Sequence, residues 1–448
     1  MKSEKAYLMF NSFFKYVAIL SIISIAGCDA LPVDTTPNTP IQTWTFVDGN
    51  TGINYNPSNN ADYPRLTVFG TGLYATWQEI NVVSQIQVGQ YNGVDSNPGW
   101  APLDGGSTQG INLNSSQAAT SPQLTVFGTT LYATWSEIGQ GGISQIRVAY
   151  YNTATAAWVY IDGGGATGIN YDPTQVASTP QLTVFGTTLY VTWSETSSTT
   201  SAPQIRVAYY DTAVSPAVWT FVDGNPVTTT GINYNKLLAG SAPQLTVFNN
   251  NLYAIWSELN GTASQIRVAV YNGNNSSPVW TFVDGGGAAG INYDHTNGFN
   301  AFYPQLVVFG SELYATWSEF NGTAYEIRIA VYNGTTWPFV DGSSPLGINY
   351  DPTQTASTPQ LTVFNNNLYA IWSELLSGVG GQIRVAVYNG NDSSPVWTLT
   401  DGGGPVGINF NSSYNAIHPQ MIVFGNELYA TWSGFNGAVY QIQAAVTH

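Results

Sequence analysis

The chain is short of charge. Asp, Glu, Lys and Arg make up only 8% of its 448 residues, about a third of the usual share in a soluble domain. Basic residues are the scarcest: 10 Lys and Arg against 26 Asp and Glu leave a net charge of -16. So few cations give no electrostatic footprint for a phosphate backbone, which excludes nucleic acid as a partner. A single Cys excludes a disulfide framework and a thiolate metal cluster. Three His leave little material for a metal or proton-relay site. No segment sustains a helical period of apolar residues. Yet the chain is no disordered acidic tail, because 43% of it is hydrophobic and 14% aromatic.

The first forty residues read as a processing segment. Lys2, Lys5 and Lys15 flank a polar and aromatic stretch, and an apolar run from Tyr16 to Ala26 follows, broken only by Ser21 and Ser24. It falls short of the roughly 20 residues that span a bilayer. It ends in Ile25-Ala26-Gly27-Cys28, which holds the one Cys of the chain. This segment resembles the lipobox of bacterial lipoproteins. The resemblance covers this segment alone and implies that residues 1–27 are a removed signal peptide and that Cys28 is lipidated. Two or more acyl chains anchor a protein stably where one is marginal. A plain secretory signal is the alternative. Residues 28–42, with Pro32, Pro37 and Pro40, read as an extended tether. The expected location is the bacterial cell envelope, outside the cytoplasm, with the choice of inner or outer membrane open. Losing three Lys and one Glu with the signal peptide moves the net charge from -16 to -18.

Residues 43–448 repeat themselves. One phrase begins at Pro64, Pro122, Pro180, Pro243, Pro304, Pro359 and Pro419, at spacings of 55 to 63 residues. Each copy holds four short β-branched and aromatic runs separated by Gly, Asn, Ser or Pro turns. Four strands, seven times over, is the pattern of an all-β, seven-bladed β-propeller. The chain opens on Trp44-Thr45-Phe46-Val47, a fourth-strand phrase with no blade before it. It ends on a third strand, Gln441 to Val446, with no fourth after it. The N-terminal strand is therefore expected to complete the last blade and close the ring.

Polar residues recur at fixed places in the repeat. In the second blade Gln123 opens the first strand, Trp135 and Glu137 close the second, and Arg147 lies early in the third. Strand periodicity sets Glu137 opposite Gln145 and Trp135 opposite Arg147, so the Arg is expected to lie over the indole and reach the Glu. The same set recurs as Trp193, Glu195 and Arg206; Trp256, Glu258 and Arg267; Trp317, Glu319 and Arg328; and Trp372, Glu374 and Arg384. The first blade keeps Trp77 and Glu79 but reads Gln87 for the Arg, and carries Arg65 where other blades have Gln, a position expected to flank Trp77. The seventh reads Gly434 and Gln443. Two roles stand open for this cluster: packing that locks blade to blade, or a ring of equivalent sugar pockets. Trp, Arg and Glu together are similar in residue type to the sites of fucose-binding propeller lectins, and that resemblance implies carbohydrate binding.

Asp48, Asp104, Asp162, Asp223, Asp284, Asp341 and Asp401 each precede Gly and are expected to shape turns. A Ca²⁺ site is the lesser alternative, since the spacing matches no dedicated loop; no other cofactor is implied. Residues that break the repeat are Asp62, Lys236, His295, Glu326 and His418, which read as scattered over the blades. No nucleophile elbow or zinc-binding His pair occurs. The expectation is a monomeric, membrane-anchored binding module that is not an enzyme, with glycan as the first ligand class. A protein-interaction scaffold is second and a glycan-active enzyme third.

Overall fold

Runs such as Leu124-Thr-Val-Phe and Leu131-Tyr-Ala-Thr-Trp are β-branched and aromatic, and they form strands in every repeat. The computed structural model describes residues 43–447 apart from 50, 105–109, 225–230, 288, 295–296 and 343–345. The expected signal peptide, the tether with Cys28, and His295 lie outside the described residues. Strands are lettered a to d from the axis outward. Blade 2 shows the plan: a is Ala119–Phe127, b Thr130–Ile138, c Ser144–Asn152 and d Ala157–Tyr160. Seven such antiparallel sheets form the propeller. In blade 5 Pro338 cannot donate to the ladder, and strand d shrinks to one bridge, Ala330 to Phe339. Among the described residues the only helix is the 3-10 turn Gln140–Gly142.

Closure occurs as the repeats require. Trp44–Phe46 pairs with strand c of blade 7, Trp44 facing Thr447 and Phe46 facing Ala445. Each apolar core lies between two blades. Trp135 of blade 2, for example, is buried among Tyr74, Ile86 and Val88 of blade 1. The seventh such core joins Val47, Leu66 and Trp77 to Tyr429, Ile442 and Val446, sealing blade 7 against blade 1.

Side chains tie neighbouring blades at three radii. Outermost, Trp158 Nε1 donates to the Leu103 carbonyl at 3.0 Å, and Trp219 to that of Ile161 at 3.0 Å. Midway, Ser194 Oγ donates to the Gly240 carbonyl at 2.8 Å, and Ser257 to that of Ala301 at 2.7 Å. Innermost, Thr125 Oγ1 donates to the Leu182 carbonyl at 3.1 Å.

A β-bulge interrupts strand a of every blade just before its Pro. In blade 1, Asp62 faces Gln78 and Arg65 faces Thr76, so Tyr63 and Pro64 together oppose Trp77. One extra residue flips every later side chain of the strand to the other face of the sheet.

Deleting residues 43–48 is expected to lower the melting temperature by at least ~5 °C. An unchanged thermal unfolding transition rules out a closing role for this strand.

One buried position breaks the repeat inside the structure. Blades 1 to 4, 6 and 7 place Gln85, Gln145, Gln204, Gln265, Gln382 and Gln441 opposite the end of strand b, and blade 5 places Glu326 there, facing Glu319. Glu326 is fully buried beside a cavity of about 50 Å³. Asn321 donates to its Oε1 at 2.8 Å, and its Oε2 has no hydrogen-bond partner. Burial above all pushes this carboxyl up to about 8, with Glu374 and Asp341 adding to the rise against the opposing charge of Arg328. Its pKa is raised by folding, so the stability gained by keeping it protonated is complete below about 4.5 and is lost as pH rises through about 8. Glu326→Gln is therefore expected to stabilise the protein at pH 9 by about 1–3 kcal/mol and to do much less at pH 5. Denaturant titrations at the two pH values check it, and equal effects at both contradict the assignment.

Candidate functional site

The repeated Trp, Glu and Arg side chains are interior packing. Their register is the expected one, Glu137 facing Gln145 and Trp135 facing Arg147, but their contacts differ. Glu137 accepts Trp135 Nε1 at 2.8 Å and the amides of Leu113 and Asn114, in the connection entering the blade, at 2.9 and 2.8 Å. Glu195 repeats this with Trp193, Tyr171 and Asp172, and Glu258 with Trp256, Tyr234 and Asn235. Glu79, Glu319 and Glu374 do the same through Trp77, Trp317 and Trp372.

A carboxylate already holding three N–H donors leaves the Arg to turn toward strand d. Arg147–Asp162, Arg206–Asp223, Arg267–Asp284, Arg328–Asp341 and Arg384–Asp401 pair at 3.0 to 3.4 Å. In blades 3 to 6 the guanidinium lies 4.0 to 4.2 Å above Tyr171, Tyr234, Tyr293 and Tyr350 of the entering connection, in place of the Trp. These Trp, Glu and Arg side chains are at most 3% exposed. Burial pushes Asp341 up to about 6 against the pull of Arg328.

Blade 7 compensates for its missing charges. Gln443 Oε1 takes the Trp432 indole N–H at 2.7 Å, doing from strand c what Glu does elsewhere from strand b.

Turn chemistry surrounds the cluster. Asp162, Asp284 and Asp401 accept the amides of Gly164, Gly286 and Gly403 at 2.9 to 3.1 Å while facing their Arg. Asn170 accepts the Ile146 amide at 2.9 Å and donates to the Ser144 and Gln175 carbonyls. Gly168, at φ 52°, passes so close that a Cβ would run into the Ile146 carbonyl. Among the described residues, no three His, Cys, Asp or Glu side chains come together as metal ligands.

Gln123 and Arg65 belong elsewhere. The bulge sets Gln123 opposite Thr134, on the face away from Trp135, where its Oε1 accepts the Leu182 amide of blade 3 at 2.5 Å. Arg65 likewise faces Thr76, so the expectation that it flanks Trp77 is corrected. Regular pairing puts strand-a residues in phase with the Trp; the extra residue reverses that phase.

At the bulge itself the repetition stops. Tyr63, Ser121, Thr179, Ala242, Tyr303, Thr358 and His418 occupy this place in the seven blades, all with φ between 49° and 56°. Non-Gly residues held there cost on the order of 1–3 kcal/mol each, and such strain gathers at functional sites. They ring the mouth where the innermost strands begin, yet no motif repeats among them. Asp62 and His418 meet here, which corrects their reading as scattered: with the ring closed, blade 7 borders blade 1.

His418 Nδ1 lies 2.6 Å from Asp62 Oδ1, which also accepts from Ser433 Oγ at 2.7 Å and from the Tyr63 amide at 2.8 Å. The Tyr63 ring stacks on His418 at 4.3 Å and 20°. Burial pushes the Asp62 carboxyl up, but the hydrogen bond and charge of His418, with Ser433 and Tyr63, outweigh it and hold it below the usual range. Burial, then the charges of Asp62 and of Tyr303 from blade 5, raise the Tyr63 phenol. The His418 and Asp62 side chains are 19% and 27% exposed, and Tyr303 is 49% exposed, so a ligand can reach them. Sequence reading missed Tyr63, Tyr303 and Ser433. The signal was present in the two places before each Pro, where the seven phrases disagree.

No protein-family model and no curated protein sequence matches the chain. Solved structures resemble it in fold. A polysaccharide lyase, Uly1, superimposes with a TM-score of 0.50 at 10% identity over 85% of this chain and 88% of its own. A Trypanosoma rangeli sialidase in complex with the inhibitor DANA gives 0.45 at 10% identity over 87% of this chain. The chain spans about half of that sialidase, 55% of its length. The GH93 α-L-arabinofuranosidase of Fusarium graminearum gives 0.45 at 12% identity over 91% of this chain and 97% of its own. At these identities the likeness extends to the fold alone. It nonetheless corrects the expectation of a module that is not an enzyme: a protein of similar fold, Uly1, is named as a polysaccharide lyase, so a missing familiar motif does not exclude catalysis on this one.

Proposed function

We propose that the protein binds a glycan at the axial mouth and uses the His418–Asp62 pair as an acid–base group upon it. The observation that carries this reading is the meeting of Asp62, Tyr63 and His418 at the ring of left-handed positions, where blade 7 adjoins blade 1. The polysaccharide lyase named above supports a sugar polymer as the ligand. Tyr63 and Tyr303 supply apolar faces with polar tips of the kind that suit sugar C–H surfaces and hydroxyls. Because Asp62 is held ionised, its Oδ1 accepts the Nδ1 proton of His418, which leaves Nε2 as the nitrogen placed to exchange a proton with a ligand. A base so oriented takes a proton from a sugar or from a water in reach.

The test is a panel of polysaccharides assayed for binding and for chain cleavage by the full-length protein. His418→Ala is expected to lower turnover by ~100-fold or more while binding persists, and Tyr63→Ala to weaken binding. A wild-type protein that neither binds nor cleaves any glycan overturns the reading.

We further propose that lipidated Cys28 tethers the propeller to a bacterial membrane, outside the cytoplasm. Cys28→Ser is expected to move the protein from the membrane to the soluble fraction and to abolish labelling by a fatty-acid analogue. Unchanged fractionation contradicts the anchor.

A further inference from the structure

Arg65 stands apart from the other five Arg. Each of those pairs with the Asp that follows strand d of its own blade. Arg65 makes no ion pair among the described residues, and its hydrogen bond is to the neighbouring Pro64 carbonyl, at a long 3.3 Å. The nearest acid, Asp62, is already committed to His418, Ser433 and the Tyr63 amide. Arg65 is half-buried, two residues beyond Tyr63 at the mouth.

The other six blades show what this residue displaces. Their equivalents are Gln123, Gln181, Gln244, Gln305, Gln360 and Gln420. The Oε1 atoms of Gln123, Gln181 and Gln305 accept the amides of Leu182, Leu245 and Leu361 in the next blade at 2.5 Å, and Gln420 takes the Leu66 amide in the same way. Arg has no acceptor atom. At the joint between blades 1 and 2 the chain therefore gives up an inner tie that Gln can make. A local rule broken with no structural return marks a functional position. A half-buried guanidinium with unused donors in a planar fork is a receptor for carboxylate or sulfate.

We propose that Arg65 recognises the anionic group of the ligand, and that the glycan taken at the axial mouth is an acidic polysaccharide carrying carboxylate or sulfate. This rests on the reading of the mouth as a glycan site and names its substrate class. The acidic remainder of the protein does not forbid such a ligand. Its charges are screened beyond about 8 Å at physiological salt, and Asp62, the carboxylate nearest Arg65, is shared with His418.

Arg65→Gln restores the residue of the other six blades and is expected to fold with an equal or higher melting temperature. Affinities of the wild type and of this variant are measured at 0.15 M salt for polygalacturonate, dextran sulfate and uncharged dextran. The wild type is expected to bind a polyanion, with the first two polymers separating carboxylate from sulfate recognition. Arg65→Gln is expected to weaken that binding by roughly 10- to 100-fold, and Arg65→Lys to fall between, since it keeps the charge and loses the fork. Equal polyanion affinity in wild type and Arg65→Gln overturns the role of Arg65. Binding of the uncharged polymer alone overturns the acidic substrate class while leaving the glycan site standing. Binding of none of the three, nor of any glycan in the wider panel, overturns both.

Discussion

Each blade depends on a single displaced residue. Between the residue two before the Pro and the Gln or Arg that follows the Pro, two residues oppose one Trp, and that extra residue decides which side chains meet. Trp, Glu and Arg on strands b and c turn to one face of the blade, where they bind the entering connection and strand d. Gln and Thr of strand a turn to the other and tie the inner strands together. The bulge residue itself takes a left-handed conformation ahead of Pro and rings the mouth. Remove the bulge and the Gln and Trp share a face, the inner ties vanish, and the mouth loses its lining.

The shortage of charge noted at the outset follows from the same arrangement. Five of six Arg are consumed in buried pairs with Asp. Such pairs add little net stability over apolar packing, and removing one partner alone is costly. Their geometry explains their presence better than their energy does. The Arg joins strand c to the Asp after strand d and, in blades 3 to 6, covers a Tyr from the connection before it, so its place there is right only when all three segments are. Arginines are thus spent in these pairs, and the one that is not becomes conspicuous.

Much of this was legible in the sequence, and what was not has a common cause. Repeat phrases and period-two strands placed all seven blades, the pairing of Trp135 with Arg147, and the closing strand at Trp44. The bulge was invisible because Tyr63-Pro64 reads the same whether it is in register or one residue out. That single ambiguity misplaced Gln123 and Arg65. The Arg–Asp pairs were missed because spacing within strands b and c says nothing of how strand d lies beside them. Asp62 and His418 looked remote because they are 356 residues apart, although the closing strand already implied that the first and last blades touch. Pro338 was plain in the sequence, but its consequence for the outer strand of blade 5 needs the ladder it interrupts.

The ring of left-handed residues has one further consequence. Interlocking contacts lie elsewhere in each blade, on residues that must match from copy to copy for the circle to shut. The seven places before the Pro share no repeated contact between blades, so the residue there differs from copy to copy while the circle stays shut. The protein therefore presents seven variable letters around one opening, held by a frame that does not change when the word does.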